Sequence, residues 1–100
     1  MTRLLVVDDD PHLLRALVMN LTNRGYDVTT AATAGLALAQ INRQPPDLLV
    51  LDLGLPDLDG IEVIRELRSR EPALPIIVLS ARSTSQDKVT ALDLGAVDYV

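Results

Sequence analysis

The sequence predicts an α/β domain: a doubly wound, five-stranded parallel sheet with helices on both faces. Three observations carry this. Short apolar runs and amphipathic stretches alternate in the order β-α-β-α-β-α-β-α-β, the connections are short, and most strands are apolar throughout, as strands covered on both faces are. One hundred residues make one domain, 1–100, with no internal repeat, low-complexity tract or linker.

Each element has a local reason. Arg3 to Val7 (RLLVV) reads as a buried strand, and Asp8 to Pro11 ends it, with Asp10 as N-cap and Pro11 at the first helical position. Leu13, Leu14, Leu17, Val18 and Leu21 repeat at the helical period, and Asn23-Arg24-Gly25 supplies the stop. Tyr26 to Thr30 alternates large and polar, as an edge or half-buried strand does. Thr33 caps a second helix, Ala34 to Arg43, which Gln44-Pro45-Pro46 ends. Asp47 to Asp52 is the central strand. Ile61, Ile64 and Leu67 mark the inner face of a third helix, with Glu62, Arg65, Glu66 and Arg68 on its wet face. Pro75 to Ser80 is a fourth strand. Ser83 or Ser85 starts a fourth helix with Val89, Leu92 and Ala96 inward and Gly95 as its stop, and Val97 to Val100 begins a fifth strand.

Composition narrows the chemistry. With no Phe, no Trp, and Tyr26 and Tyr99 as the only aromatics, the core is aliphatic. Cysteine is absent, which excludes disulfides and thiolate metal sites. No apolar run approaches the ~20 residues that span a bilayer, and the first residues lack the pattern of a signal peptide, so the expected location is the cytoplasm, without membrane contact. The net charge is -5 and no basic cluster is present, which argues against direct binding of nucleic acid. The acids are grouped at Asp8 to Asp10, at Asp52, and at Asp57 with Asp59.

The stretch LLVLDLGLPDLDG, residues 48–60, explains part of that grouping. An apolar strand delivers one carboxylate, Asp52, to its end, and a loop shaped by Gly54, Pro56 and Gly60 follows. In the strand order 2-1-3-4-5, strands one and three are neighbours where the order reverses, and the crevice lies beyond their carboxyl ends. Asp8 and Asp9 then converge with Asp52, and Ser80 leaves strand four on the same edge. Like charges so gathered repel unless a cation neutralises them, and an all-oxygen site with room for water and phosphate suits Mg²⁺ better than zinc or copper. Asp10 reads as a cap only, Asp57 and Asp59 as solvated or turn-forming, and His12 as exposed and without catalysis. By residue type alone, Ser80 could simply end a strand and Tyr99 could simply be core.

The motifs VVDDDP, LDLGLPDLDG, VLSA and ALDLGAVDY, in this order and at matching strand ends, resemble the receiver domains of bacterial two-component response regulators over essentially the whole chain. DLGLPDLDG and LSARSTSQDKVTALDLGA are similar to potassium-uptake-operon regulators of the Kdp type, in the branch with a winged-helix DNA-binding output. The resemblance implies that Asp52 accepts a phosphoryl group from a sensor histidine kinase. It implies that Asp9, Asp52 and the Gly54 backbone carbonyl ligate Mg²⁺, with Asp8 acting partly through water. Ser80 matches the hydroxyl that bonds the phosphoryl oxygen, and Tyr99 the aromatic that turns inward with it. That pair would bias the face of the fourth helix and fifth strand toward a partner, with homodimerisation on activation. DNA would be reached only through an output domain. The implied role is a phosphorylated switch that controls transcription, not a turnover enzyme.

The family also places a Lys and then a Pro after the fifth strand, and a fifth helix after those. The sequence stops at Val100, and its single lysine, Lys88, falls on the fourth helix and does not match. The expectation is a fragment of a longer regulator, less stable than an extended chain, with apolar sheet surface uncovered beside the first helix. Other classes fit less well. A flavodoxin-like nucleotide binder needs a phosphate loop where three aspartates stand. A haloacid-dehalogenase-type phosphatase would use a DxD motif, which Asp8 and Asp10 match in spacing, with Asp8 as nucleophile. A receiver fold that only mediates dimerisation is the main alternative.

Overall fold

The computed structural model describes residues 1–79 and the backbone of 98–99. Its elements run β1 (Arg3–Val7), α1 (Pro11–Asn23), β2 (Asp27–Ala31), α2 (Ala34–Arg43), β3 (Leu48–Asp52), α3 (Gly60–Arg70), β4 (Ile76–Leu79) and β5 (Asp98–Tyr99). The fourth helix expected after Ser80 lies outside the described residues, as do Ser80 itself, Lys88 and the Tyr99 side chain. All strands are parallel, in the order β2-β1-β3-β4-β5. The doubly wound sheet expected from the sequence is the one observed.

Side-chain alternation along each strand divides the sheet into two faces. Leu5 and Val7 of β1, Leu49 and Leu51 of β3, and Ile76 and Val78 of β4 form one core with Ala34, Ala37 and Ile41 of α2 and Val63, Ile64 and Leu67 of α3. Right-handed crossovers require this: β2 to β3 and β3 to β4 run the same way across the sheet, so α2 and α3 share a face. The β1 to β2 step runs the other way and puts α1 opposite. There Leu4 and Val6 are buried, while Leu48, Val50, Ile77 and Leu79 are half-buried. No α1 side chain is fully buried: Leu14, Leu17, Val18 and Leu21 are half-buried, and Leu13, expected inward, is exposed.

Local signals set most element ends. The Asp10 carboxylate accepts from the His12 and Leu13 N–H groups at the start of α1, at 2.9 and 3.4 Å. At its end, Gly25 has φ +94°, with Gly25 N–H donating to the Thr22 carbonyl and Tyr26 N–H to the Leu21 carbonyl, the paired bonds of a Schellman motif. Positive φ occurs among the described glycines at Gly25 alone, so neither Gly54 nor Gly60 shapes its loop through the left-handed angles that favour glycine, and Gly60 serves another purpose. A Cβ there would run into the Leu53 Cα, lie 2.8 Å from Leu53 Cδ2 and 3.0 Å from the Asp52 carbonyl oxygen. Only a residue without a side chain lets α3 start this close to the end of β3.

Two further expectations need correction. Asp59 is the N-cap of α3, its carboxylate accepting from Ile61 N–H at 2.9 Å, because the first N–H groups of a helix need an acceptor. Arg68, placed on the wet face of the third helix, is half-buried; its Nη1 donates to the Leu74 carbonyl at 2.8 Å and tethers the turn into β4.

Candidate functional site

Strands β1 and β3 are adjacent, with Val7 paired to Leu51, so the residues that follow each emerge side by side at the sheet's carboxyl edge. That edge is where the strand order reverses, because β2 follows β1 on one side and β4 follows β3 on the other. Asp8 leaves the end of β1 and Asp52 ends β3. Asp8, Asp9 and Asp52 bring one carboxylate oxygen each to within 4.8 Å of one another. The convergence expected of these three residues is present.

Their surroundings differ. Asp8 is 6% exposed, Asp52 is half-buried and Asp9 is exposed. The Asp8 Oδ1 accepts from Asp10 N–H at 2.9 Å, and its own N–H donates to the Ala31 carbonyl at 3.1 Å, so the turn into α1 and the end of β2 both fix it. Burial pushes the Asp8 carboxyl above the ordinary aspartate range; the bond from Asp10 N–H works the other way, and the charges of Asp52, Asp9 and Asp10 add to the rise. A buried carboxylate held among like charges favours a cation. The Asp52 Oδ1 accepts from Gly54 N–H at 3.2 Å, which turns the chain over the strand end.

The loop that carries Gly54 is held from both sides. Leu53 and Leu55 are buried in the core, and Gly60 N–H donates to the Leu53 carbonyl at 3.0 Å. Outside the core, both oxygens of the Asp57 carboxylate are occupied: Oδ1 accepts from Ala34 N–H and Oδ2 from Gly35 N–H, each at 2.9 Å. Those bonds hold the Asp57 carboxyl below its ordinary value. Asp57 was expected to be solvated or turn-forming. It is exposed, but it caps α2, whose first N–H groups have no partner within the helix. Thr33 Oγ1 takes the third, from Leu36 N–H, at 3.2 Å. Nothing local to Asp57 signals this role, because its partners lie 22 and 23 residues away. Asp59, by contrast, precedes Glu62 by three, the spacing of a capping box. His12 is exposed, and Asp10 is the cap it was expected to be. Ser80 lies outside the described residues; the backbone of Tyr99 pairs with Val78.

Fold and site together define a class, the CheY-like receivers. A CheY-like receiver domain protein from Methanospirillum hungatei superposes with a TM-score of 0.96 at 33% identity, over 100% of this chain and 80% of that one. The BeF3-activated receiver domain of Klebsiella pneumoniae RstA does so with a TM-score of 0.91 at 30% identity, over 99% and 84%. The chain belongs to the response regulator receiver domain family, whose pattern it matches over residues 4–100. It is 58% identical to the transcriptional regulatory protein KdpE of Mycobacterium tuberculosis and 49% identical to the KDP operon transcriptional regulatory protein KdpE of Escherichia coli, over 100 residues in each case. The Kdp-type similarity expected from the sequence is therefore present. The chain spans 44% of the length of both relatives. Among the described residues, no helix is long and apolar enough to cross a membrane.

Proposed function

We propose that this chain is a phosphoacceptor that takes a phosphoryl group from a phosphohistidine of a sensor kinase onto Asp52, with Mg²⁺ held by Asp8, Asp9, Asp52 and the Gly54 carbonyl. The observation that carries this is the meeting of three carboxylates from β1 and β3 within 4.8 Å, at the switch point of a receiver sheet. The donor set fits the ion, being all oxygen, with Asp8 buried among like charges. Bound there, Mg²⁺ supplies the positive charge that phosphoryl oxygens need during transfer. Asp52 itself is the nucleophile: its carboxylate oxygen forms the new O–P bond, the P–N bond breaks, and the electron pair returns to the kinase imidazole. The bond from Gly54 N–H orients this carboxylate. Asp8, fixed by Asp10 N–H, is a rigid member of the set.

Ser80 then bonds the phosphoryl oxygen and Tyr99 turns inward, favouring a homodimer through the fourth helix and fifth strand. DNA is contacted through an output domain beyond this chain, a reading supported by relatives named transcriptional regulatory proteins. The domain passes on a state and does not turn over a substrate.

The test is intact mass after incubation with Mg²⁺ and a small phosphodonor. Wild type gains one phosphoryl group and Asp52→Asn gains none. An adduct on both variants moves the nucleophile elsewhere, and an adduct lost only in Asp8→Asn supports the phosphatase-like alternative. No adduct on wild type supports either a domain that only dimerises or a truncated, inactive fragment, and the same test on a chain extended through the fifth helix separates the two.

A further inference from the structure

The loop between β3 and α3 contains a contact that the phosphoacceptor reading does not use. Its inner side is packed, through Leu53 and Leu55, but Pro56, Asp57 and Leu58 are exposed, so packing does not hold them. What ties this outer side down is the pair of 2.9 Å bonds from Ala34 and Gly35 N–H to Asp57. The bonds join the loop to an element with its own seat in the core, since Ala34, Ala37 and Ile41 of α2 are buried. Gly54 thus lies between two fixed points, Asp52 before it and Asp57 after it.

We propose that Asp57 is a positioning residue for the acid cluster: clamped to the first turn of α2, it holds the Gly54 segment in the arrangement that binds Mg²⁺. This rests on the phosphoacceptor reading above. The clamp makes α2 part of the site although α2 contributes no ligand, so whatever displaces its first turn also loosens metal binding.

Titration of the chain with MgCl₂, followed by calorimetry or by the amide resonances of Gly35 and Gly54, tests it beside urea unfolding of the same samples. Thr33→Ala is the control, because it removes the other cap of α2 without touching the loop. Asp57→Ala is expected to weaken Mg²⁺ binding about tenfold, as loss of a group that orients a ligand does. Asp57→Asn, which keeps an acceptor for one of the two N–H groups, falls between it and wild type. Thr33→Ala lowers the urea midpoint and leaves the Mg²⁺ affinity unchanged. If Asp57→Ala and Asp57→Asn behave like Thr33→Ala, Asp57 is a helix cap and nothing more, and the proposal is overturned. If wild type itself shows no Mg²⁺ binding that Asp52→Asn weakens, the phosphoacceptor reading fails and takes this one with it. The two failures are therefore distinct.

Discussion

Asp8 and Asp57 show how differently one residue type behaves in two places. Asp8 is buried beside like charges, and its ionised form is a local liability when no cation is present. Asp8→Asn keeps the acceptor for Asp10 N–H and removes the charge, so in chelator-treated buffer it should raise the urea midpoint, while removing the response of that midpoint to Mg²⁺. Asp57 has the opposite sign. Its folded carboxyl ionises more readily than the ordinary aspartate value of 3.8, because Gly35 and Ala34 N–H groups favour the charged form. Its contribution to stability is thus fully present above that value and is lost as pH falls through the lowered folded value. The urea midpoints of wild type and Asp57→Ala should therefore differ at neutral pH and converge on acidification below the ordinary value. A gap that stays constant with pH would show that the carboxylate charge is not what α2 uses.

At the scale of elements, the junction between β3 and α3 is tightly constrained. Gly60 sits where any Cβ meets the Leu53 backbone, and backbone cannot swing aside as a side-chain end can. Gly60→Ala should cost more than about 2 kcal/mol, read as a lower urea midpoint at unchanged slope, since overpacking forces the backbone to shift. The phosphoryl transfer to Asp52 proposed above should slow with it, because the Asp52 carbonyl is part of the same contact. Which parts of this were legible beforehand follows from range. Asp10 before Pro11, Thr33 before Ala34, and Gly25 after α1 act on N–H and carbonyl groups a few residues away, so their roles could be read from spacing. The strand runs were readable because continuous apolar character reports burial on both faces, and the meeting of Asp8, Asp9 and Asp52 followed from topology. Asp57 and Gly60 could not be read that way. Their partners are fixed by how α2 and the end of β3 pack in three dimensions, and no local periodicity encodes that. Leu13 erred in the other direction: it matches the apolar period of α1, but the helix presents to the sheet a narrower stripe than the period allows.

For the whole molecule, stability and the metal binding proposed above meet in one set of residues. The sheet is sealed on the face of α2 and α3, whereas on the α1 face Val50, Ile77 and Leu79 stay half-buried, so the apolar core is worked mainly from one side. The acid cluster adds a repulsive term at the point where β1 and β3 end together. A ligand that binds only the folded state stabilises it by mass action, about 1.4 kcal/mol at ten times its dissociation constant. With a urea slope of roughly 1 kcal/mol per molar for a domain this small, the midpoint should rise by on the order of 1 M. The rise should vanish in Asp9→Ala and shrink in Asp52→Asn. NaCl at matched ionic strength should give much less, because screening acts on exposed charges and leaves a buried carboxylate without a partner. Equal midpoints in MgCl₂ and matched NaCl would mean that the cluster is only screened and never occupied, and that the three carboxylates hold their positions for a reason other than Mg²⁺.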